Sequence, residues 1–142
     1  MCAVALGAAT GAVEAYEALV RTETTDDPPL RPRLLDADHQ RWLGAAIGRL
    51  AAAECILTEA LEQHSPADPL LWLICRETAK LCHATVQEIV VRTAGPAAMR
   101  RDTPLERIVR GLVALRSNPP GGSEESIARR VGRDRLGIPV ES

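Results

Sequence analysis

The segment that decides the fold class of this chain is Arg92-Thr93-Ala94-Gly95-Pro96, followed after a short joint by Thr103-Pro104-Leu105-Glu106-Arg107-Ile108-Val109-Arg110. A glycine followed by a proline is typical of a helix C-terminus. Thr103, Pro104 and Glu106 form a helix-start signal, with a capping hydroxyl, a proline at the first helical position and an acid in the first turn. The segment therefore predicts a helix that ends, a joint, and a second helix that begins.

The same start and stop signals divide the rest of the chain into helices, and no segment has the alternating pattern of a strand. The predicted helices run over about residues 3–22, from Asp36 or Asp38 to Gln63, from the Ser65-Pro66-Ala67-Asp68 signal to Thr93, from Thr103 to the break at 118–122, and from Ser123 to about Val131. Two long helices flanked by shorter ones predict an all-α fold, an up-down four-helix bundle with a short C-terminal helix. We expect a single domain over residues 1–142, with a loose tail at 137–142.

Composition indicates a globular domain with an aliphatic core. The chain has 142 residues, enough to bury a core without a metal or disulfides, and its aromatic residues are one Tyr and two Trp. Residues 1–91 carry 7 basic and 13 acidic groups, whereas residues 92–142 carry 10 basic and 6 acidic groups, for a net charge of -2. The basic residues are interleaved with acids and have no aromatic neighbours for base stacking, so we predict no nucleic-acid partner.

The cysteines and the amino-terminal segment indicate a reducing compartment. The four cysteines include no Cys-x-x-Cys pair. Cys75 and Cys82 are seven residues apart and share one apolar face of the third helix, where we expect them to act as small apolar side chains. The apolar start has no basic region and continues into Glu14 and Glu17, so it does not predict a signal peptide. No apolar run is expected to span a membrane. We therefore predict a cytoplasmic location with reduced thiols and no membrane partner.

Glu54 is the acidic residue that the helix pattern places among apolar side chains. A 4-3 spacing in the second helix predicts a buried seam at Leu43, Ile47, Leu50, Glu54, Leu57 and Leu61. A buried carboxyl group can serve as a general acid or base, so Glu54 is the candidate catalytic residue. Two alternatives stay open: an ion pair between Glu54 and Arg107 or Arg110, or a seam that opens at that turn.

Arginines near the joint are the candidates for substrate binding. Arg92, Arg107 and Arg110 could hold a carboxylate or phosphate, and Asn118 could donate a hydrogen bond to a substrate carbonyl. The alternative is that these arginines are solvated or pair with acids inside the bundle, and that Asn118 belongs to a turn.

The histidines predict neither a metal centre nor a nucleophile pair. We expect His39 and His64 to be solvated at the ends of the second helix, and His83 to lie on the polar side of the third helix with Arg76, Lys80 and Gln87. No two histidines have i, i+4 spacing and no Glu-x-x-His pair occurs, which excludes a di-iron bundle site. No residue set suits zinc, so no metal is expected.

Three segments in different helices carry a common pattern: Ala5–Ala12, Arg76-Glu77-Thr78-Ala79 with Ala84, Val86 and Gln87, and Pro104-Leu105-Glu106-Arg107 with Arg110. Together they resemble the C-terminal helical domain of the acyl-CoA dehydrogenase superfamily, including its flavin-dependent monooxygenase relatives. The resemblance covers most of the chain and implies a helical bundle. The N-terminal helical domain and the small β-domain that precede this bundle in the family are expected to be absent.

The groups that hold flavin in the family differ in this chain. The family's glycine-rich flavin loop corresponds to Arg92, Gly95, Pro96 and Ala98. The proline lacks an N–H and the alanine adds a Cβ, so the backbone cannot approach a phosphate as closely. The family's catalytic base falls near residues 118–119, where neither side chain can abstract a proton. We therefore expect no flavin cofactor in the chain alone, and FAD only if a partner chain completes the site.

Two functions follow from the resemblance. The first is a stand-alone, flavin-free protein that binds a small acyl or polyketide-like intermediate and catalyses proton transfer, cyclisation or rearrangement through Glu54 in specialised metabolism. The alternative is a non-catalytic or complementing subunit of a split acyl-CoA dehydrogenase-like flavoenzyme. We place the first ahead, because a flavin subunit should have kept its glycine loop. Under either function, wide apolar helix faces predict a homodimer, a higher oligomer or a complex with a flavoenzyme subunit.

Overall fold

The computed structural model describes three stretches of the chain: residues 2–93, 103–117 and 123–139. The elements are α1 (Cys2–Thr22), a short 3-10 turn (Arg33–Leu35), α2 (Ala37–Gln63), α3 (Pro69–Thr93), α4 (Pro104–Ser117) and α5 (Glu124–Arg135). The described stretches contain an isolated antiparallel bridge between Thr24 and Pro32, and they contain no β-strand. The predicted all-α class is confirmed, while the predicted stop at Gly95 and the break at 118–122 lie outside the described residues.

Side-chain caps explain where three of the helices begin. The Asp36 carboxylate accepts hydrogen bonds from the backbone N–H groups of Asp38 and His39 at 3.0 and 3.2 Å. The hydroxyl groups of Thr103 and Ser123 each accept from the N–H three residues further on, at 3.2 Å. These caps satisfy amides that the first helical turn leaves without partners. They confirm the predicted starts of α2, α4 and α5.

The start of α3 differs from the prediction. α3 begins at Pro69 rather than near Pro66, because Asp68 supplies a second cap signal directly before Pro69. The Asp68 carboxylate accepts from the N–H of Leu70 at 2.8 Å and contacts Nδ1 of His64 at 2.6 Å. The contact with His64, the residue that follows α2, holds the Asp68 carboxylate in its capping position and so favours the later start.

The end of α5 also differs from the prediction, because α5 extends about one turn further, to Arg135. Gly137 has a φ of +67°, the left-handed conformation that glycine adopts without strain. Its N–H donates to the Asp134 carbonyl at 3.2 Å, and the N–H of Ile138 donates to the Arg133 carbonyl at 3.0 Å. This is a Schellman cap, so Gly137 and Ile138, at the start of the predicted loose tail, hydrogen-bond to the last turn of α5.

The first three helices form the centre of a bundle and run alternately up and down. The end of α1 meets the start of α2, where Tyr16 contacts His39, and the first half of α2 meets the end of α3 in the Arg49–Glu88 ion pair. α4 packs chiefly on α1, and α5 packs on α3. The core side chains are small or aliphatic except for one ring; they are Ala5, Ala9, Ala12, Val13, Tyr16, Val20, Ala46, Ala53, Cys82, Val86, Ile89, Leu105 and Leu112.

The buried seam of α2 is rotated from the predicted one. Its buried positions include a series at seven-residue intervals: His39, Ala46, Ala53 and Ala60. Three of the predicted seam positions are instead exposed: Ile47, Glu54 and Leu61. Alanines define the seam because small side chains let the neighbouring helices approach closely. Glu54 is therefore exposed, in agreement with the alternative in which the seam opens at that turn.

α1 is the one helix of the described stretches that is long and apolar enough to cross a membrane, with 21 residues and a mean hydropathy of 1.3. This corrects the expectation that no segment reaches that length. The 3-4 spacing of the sequence predicts one apolar stripe on α1, formed by Leu6, Ala9, Val13, Tyr16 and Val20. This stripe packs into the bundle, where Ala9, Val13, Tyr16 and Val20 are buried. About a third of the apolar window of α1 is buried inside the bundle, and the structure is compatible with a soluble protein. The cytoplasmic location stays a prediction.

Candidate functional site

A buried pair of polar rings joins α1 to α2. The Tyr16 hydroxyl lies 2.9 Å from Nδ1 of His39, and Tyr16 has no exposed surface. The His39 ring also packs edge-on against Trp42, with 5.1 Å between the ring centroids. The prediction of a solvated His39 is wrong because its ring turns inward, where the tyrosine hydroxyl satisfies it.

Burial keeps both members of this pair neutral. It raises the pKa of Tyr16 to about 12, and the positive charges of Arg33 and Arg92 oppose that rise. Burial also lowers the pKa of His39, and the charge of Arg33 lowers it further while Asp36 opposes the change. Since both rings are neutral at neutral pH, we assign the hydrogen bond as donated by Tyr16 to an unprotonated Nδ1. The pair holds two helices together and is not activated to abstract a proton.

Arg33 is buried beneath the connection between α1 and α2. Its Nε donates to the Thr24 carbonyl at 2.9 Å, and its two terminal nitrogens lie 3.2 Å from carboxylate oxygens of Asp26 and Glu23. The backbone N–H of Arg33 also donates to the Glu23 carbonyl at 2.9 Å. A buried charge requires such partners, so this network fixes the connection and keeps a positive charge near Tyr16.

A small cavity lies beside the ring pair, between α1, α2 and α3. Its lining includes Tyr16, Trp42, Thr85, Glu88 and Arg92, and its volume is about 10 Å³. That volume is close to what one water molecule requires. The indole N–H of Trp42 is buried and meets no hydrogen-bond acceptor among the described residues. The cavity therefore suits a single water molecule and is far smaller than a site for an acyl substrate.

Tyr16, His39, Trp42 and Arg33 form what is here called the buried cluster. Arg92 is the predicted substrate-binding residue that the structure brings to this cluster. Its guanidinium carbon lies 4.7 Å from the centre of the Trp42 ring, in the range of a cation–π contact. One of its terminal nitrogens is 3.9 Å from the Glu88 carboxylate, which also pairs with Arg49. Arg92 thus has neighbours inside the bundle, as the alternative interpretation of this residue proposed.

The remaining predicted site residues are not brought to the cluster. Arg110 pairs with Glu106 on its own helix at 2.9 Å rather than with Glu54, and Arg107 is exposed. Glu54 is exposed on the outward side of α2, so it is not the buried acid that the predicted seam required. Asn118 lies outside the described residues. A role for these four residues in catalysis or substrate binding stays a prediction.

The other histidines also lie apart from the ring pair. His64 pairs with Asp68 at the junction of α2 and α3, and His83 is half-buried. Arg76, which the sequence placed on the polar side of α3, is buried with 7% of its surface exposed. In the part of the chain that the structure describes, no group of three His, Cys, Asp or Glu side chains could hold a metal ion.

An open groove of about 300 Å³ lies between the start of α3 and α5, lined by Ala67, Pro69, Trp72, Ser126, Ile127 and Arg130. The indole N–H of Trp72 donates to the Pro66 carbonyl at 3.0 Å, which fixes the ring on one wall. The groove has the size of a small-ligand site, but Arg130 is the sole charged group of its described lining. It offers no paired acid and base for a reaction.

The outward side of α2 forms an almost uncharged helix surface, here called the α2 face. Between residues 42 and 53 every exposed residue is Gly, Ala or Ile. Two bulky members of the face, Ile47 and Ile56, are 48% and 47% exposed, and Glu54 lies at one edge. The exposed members of the α2 face are Gly44, Ala45, Ile47, Gly48, Ala51, Ala52, Cys55, Ile56 and Thr58.

Sequence reasoning missed Arg33 and His39 as members of the buried cluster. A signal for His39 was present, because it continues the seven-residue series of Ala46 and Ala53 back to the first turn of α2. Arg33 had no such signal, since an arginine in a proline-bearing connection is usually solvated.

Comparison of the chain with protein-family models, with curated proteins and with solved structures finds no match.

Proposed function

We propose that this chain is a self-associating helical subunit of the acyl-CoA dehydrogenase C-terminal type, which contributes a bundle to a larger assembly rather than catalysing a reaction by itself. The observation that carries the proposal is the α2 face, which is exposed and almost without charge. A helix that borders solvent normally carries polar and charged residues opposite its buried stripe. An extended exposed apolar surface instead marks a place where another protein packs.

The charges at the two ends of α2 favour an antiparallel arrangement of two copies. Arg41 is exposed near the amino-terminal end, and Glu59 and Glu62 are exposed near the carboxyl-terminal end. A two-fold axis between Ala51 and Ala52 would place Arg41 of each copy beside Glu59 and Glu62 of the other, because Arg41 and Glu62 are equally distant from that midpoint. A parallel arrangement would instead bring like charges together.

The α2 face also has the shape that close helix packing requires. Its small residues recur at spacings of four, three and four, so they form one ridge: Gly44, Gly48, Ala51 and Cys55. Small side chains allow two helix backbones to approach closely. Ile47 and Ile56 flank the ridge and supply apolar area that the contact would remove from water.

A stand-alone acid–base catalyst has less support from the geometry. Glu54 is exposed, and the Tyr16–His39 pair is neutral and buried. The cavity beside Tyr16 has room for about one water molecule. A catalyst for an acyl substrate needs an acid or base within reach of a pocket several hundred Å³ in size.

The resemblance to the acyl-CoA dehydrogenase superfamily supplies the wider setting of the proposal. In that family the C-terminal bundles pack against each other at the centre of an oligomer, and a flavin lies beside the bundle. We extend the proposal to a complementing role, in which FAD binds only where a chain with the N-terminal helical and β-domains completes the site. The sequence resemblance alone supports this part, because residues 94–102 lie outside the described stretches.

The Gly48→Leu substitution tests self-association. An added Cβ at Gly48 meets nothing within 4 Å in the single chain, and leucine is a better helix former than glycine. The variant should therefore keep its stability while it blocks the close approach of two α2 helices. We expect sedimentation velocity to show dimers for the wild type and monomers for Gly48→Leu. The matched control is Gly7→Leu in α1, where an added Cβ also meets nothing; it should stay dimeric.

A wild-type chain that is monomeric at the highest attainable concentration would contradict this proposal, and so would an unchanged dimer of Gly48→Leu. Charge reversal tests the antiparallel arrangement. Arg41→Glu should weaken the dimer, and adding Glu62→Arg to it should restore the affinity. Exposed ion pairs contribute about 0.2–1 kcal/mol each, and two-fold symmetry doubles this, so the expected change in Kd is roughly 2- to 30-fold.

Co-expression tests the complementing role separately. The chain is produced together with a chain that carries the N-terminal helical and β-domains of an acyl-CoA dehydrogenase-like protein, and the purified material is examined for a complex with visible flavin absorbance. A yellow complex supports the role. A colourless complex, or no complex, contradicts the flavoenzyme role while leaving self-association through the α2 face intact.

A further inference from the structure

Two cysteine side chains from separate helices meet near the start of α1. The Sγ atoms of Cys2 and Cys75 are 3.2 Å apart, although the residues are separated by 73 positions in the sequence. Both cysteines are free and half-buried. α1 and α3 run in the same direction, so the first turn of α1 lies beside the second turn of α3. The fold thereby brings together two thiols that no sequence spacing connects.

We propose that Cys2 and Cys75 form a redox modification site, at which the two thiols convert reversibly to an intramolecular disulfide. A disulfide bond is about 2.0 Å long, so the sulfurs must approach by roughly 1 Å. Cys2 stands in the first turn of α1, where no preceding turn holds the backbone amides, so this helix end can adjust. The other cysteines are placed differently, since Cys55 is exposed on the α2 face and Cys82 is buried in the core.

Thiol–disulfide exchange with a small disulfide, such as oxidised glutathione, would form the bond in two balanced steps. The Cys2 thiolate attacks one sulfur of the oxidant, which releases one glutathione thiol and leaves a mixed disulfide on Cys2. The Cys75 sulfur then gives up its proton and attacks the Cys2 sulfur, and a second glutathione thiol leaves. The two protein thiols lose two electrons and two protons, and the two glutathione thiols carry them away.

The pKa of Cys75 favours the second of these steps for its sulfur. Burial and then the neighbouring Cys2 thiol raise the pKa of Cys75 to about 11. Cys75 therefore stays protonated at neutral pH and reacts slowly with an oxidant by itself. It acts as the resolving sulfur, because the mixed disulfide on Cys2 forms within its contact distance.

The disulfide would join α1 to α3 across a loop that contains all of α2. A link of this kind restricts the unfolded chain and prevents the first turn of α1 from fraying. In a reducing compartment, disulfides are usually transient and redox-sensing rather than permanent. The pair lies on helices other than α2, so its oxidation does not depend on self-association through the α2 face.

Equilibration of the full chain in glutathione buffers tests the site. The ratio of reduced to oxidised glutathione is varied, and the free thiols are then blocked with an alkylating reagent. Peptide mapping by mass spectrometry should show Cys2 linked to Cys75 at oxidising ratios, and the link should disappear when reducing ratios are restored. The oxidised chain should have a higher Tm than the reduced chain, because the link restricts the unfolded state.

Cys2→Ser and Cys75→Ser should each abolish both the link and the rise in Tm, whereas Cys55→Ser should retain both. Cys2 lies at a helix end, where a substitution disturbs the fold little. The Cys2→Ser variant therefore keeps the test decisive even if Cys75→Ser does not fold. The proposal is overturned if folded wild-type chain keeps Cys2 and Cys75 fully alkylatable at every ratio. It is also overturned if Cys2 holds a glutathione mixed disulfide that does not proceed to the link with Cys75.

Discussion

The Tyr16 hydroxyl and Nδ1 of His39 are 2.9 Å apart, so a single side-chain hydrogen bond joins the end of α1 to the first turn of α2. Tyr16 has no exposed surface, so the hydrogen bond is shielded from bulk solvent. Such a bond is strong in a low-dielectric core, and its loss is correspondingly costly. This contact fixes the first turn of α2 against α1.

Replacing Tyr16 with phenylalanine should destabilise the fold without changing its shape. The ring volume is preserved, but Nδ1 of His39 loses its buried donor, which costs about 1–3 kcal/mol of unfolding free energy. Urea denaturation followed by circular dichroism measures the change. Trp72→Phe is the control: it removes a hydrogen bond from an indole at the surface and should cost less. Equal losses for the two variants would contradict the role assigned to the buried bond.

The stability of the protein should fall on mild acidification because of His39. Its pKa lies below the ordinary 6.5, owing to burial and to the charge of Arg33. At a pH between the folded and unfolded pKa values of His39, the unfolded chain binds more protons than the folded chain. The contribution of His39 to the free energy of unfolding is therefore complete above about pH 6.5 and declines as the pH falls toward the folded pKa. Urea midpoints measured between about pH 7 and pH 5 should show the slope. The His39→Gln variant should have a smaller dependence of the urea midpoint on pH, whereas His83→Gln should keep the dependence of the wild type.

Loss of the Arg33 side chain should loosen the connection between α1 and α2. Arg33→Ala removes the hydrogen bond to the Thr24 carbonyl and the ion pairs with Asp26 and Glu23, and we expect a loss of about 1–3 kcal/mol of unfolding free energy. The carboxylates themselves are largely exposed and can be solvated, which limits the loss. Arg31→Ala is the matched control, because Arg31 is exposed and 3.6 Å from Asp36; its effect should be within about 0.5 kcal/mol. An Arg33→Ala variant with the same unfolding free energy as the wild type would contradict the stabilising role of the Arg33 network.

Gly132 inside α5 and Gly137 just after its end should respond to alanine in opposite directions. Gly137→Ala places a Cβ on a residue with a φ of +67°, which costs about 1–2 kcal/mol. Gly132→Ala lies inside the helix, where an added Cβ meets nothing within 4 Å, and should stabilise it by about 0.5–1 kcal/mol. The rate of amide hydrogen exchange in α5 measures both changes: it should rise in Gly137→Ala and fall in Gly132→Ala. Slower exchange in Gly137→Ala would show that the cap does not form in solution.

The helix boundaries were largely predictable because local chemistry determines them. Asp36, Thr103 and Ser123 cap amides within three residues of themselves, so the sequence alone contains the partners. The start of α3 shows the limit of this reasoning. Two cap-and-proline signals lie three residues apart, and the contact between Asp68 and His64 favours the second one.

The orientation of α2 was not predictable from its apolar pattern. Leucine and isoleucine spacing suggested one seam, but the close approach of α1 and α3 selected the alanine side and left Ile47 and Glu54 outward. The candidate catalytic role of Glu54 depended on that orientation. The pairing of Tyr16 with His39 likewise depends on how the connection folds around Arg33, which no local pattern encodes.

The amino-acid sequence by itself determined an all-helical chain, most of the helix boundaries and the inward stripe of α1, because capping and 3.6-residue periodicity act over a few neighbouring residues. Tertiary structure decided which side of α2 is buried, which polar rings meet in the core and which two cysteines come into contact. Those outcomes depend on the distances between helices, and such distances are set by the packing of all the side chains at once.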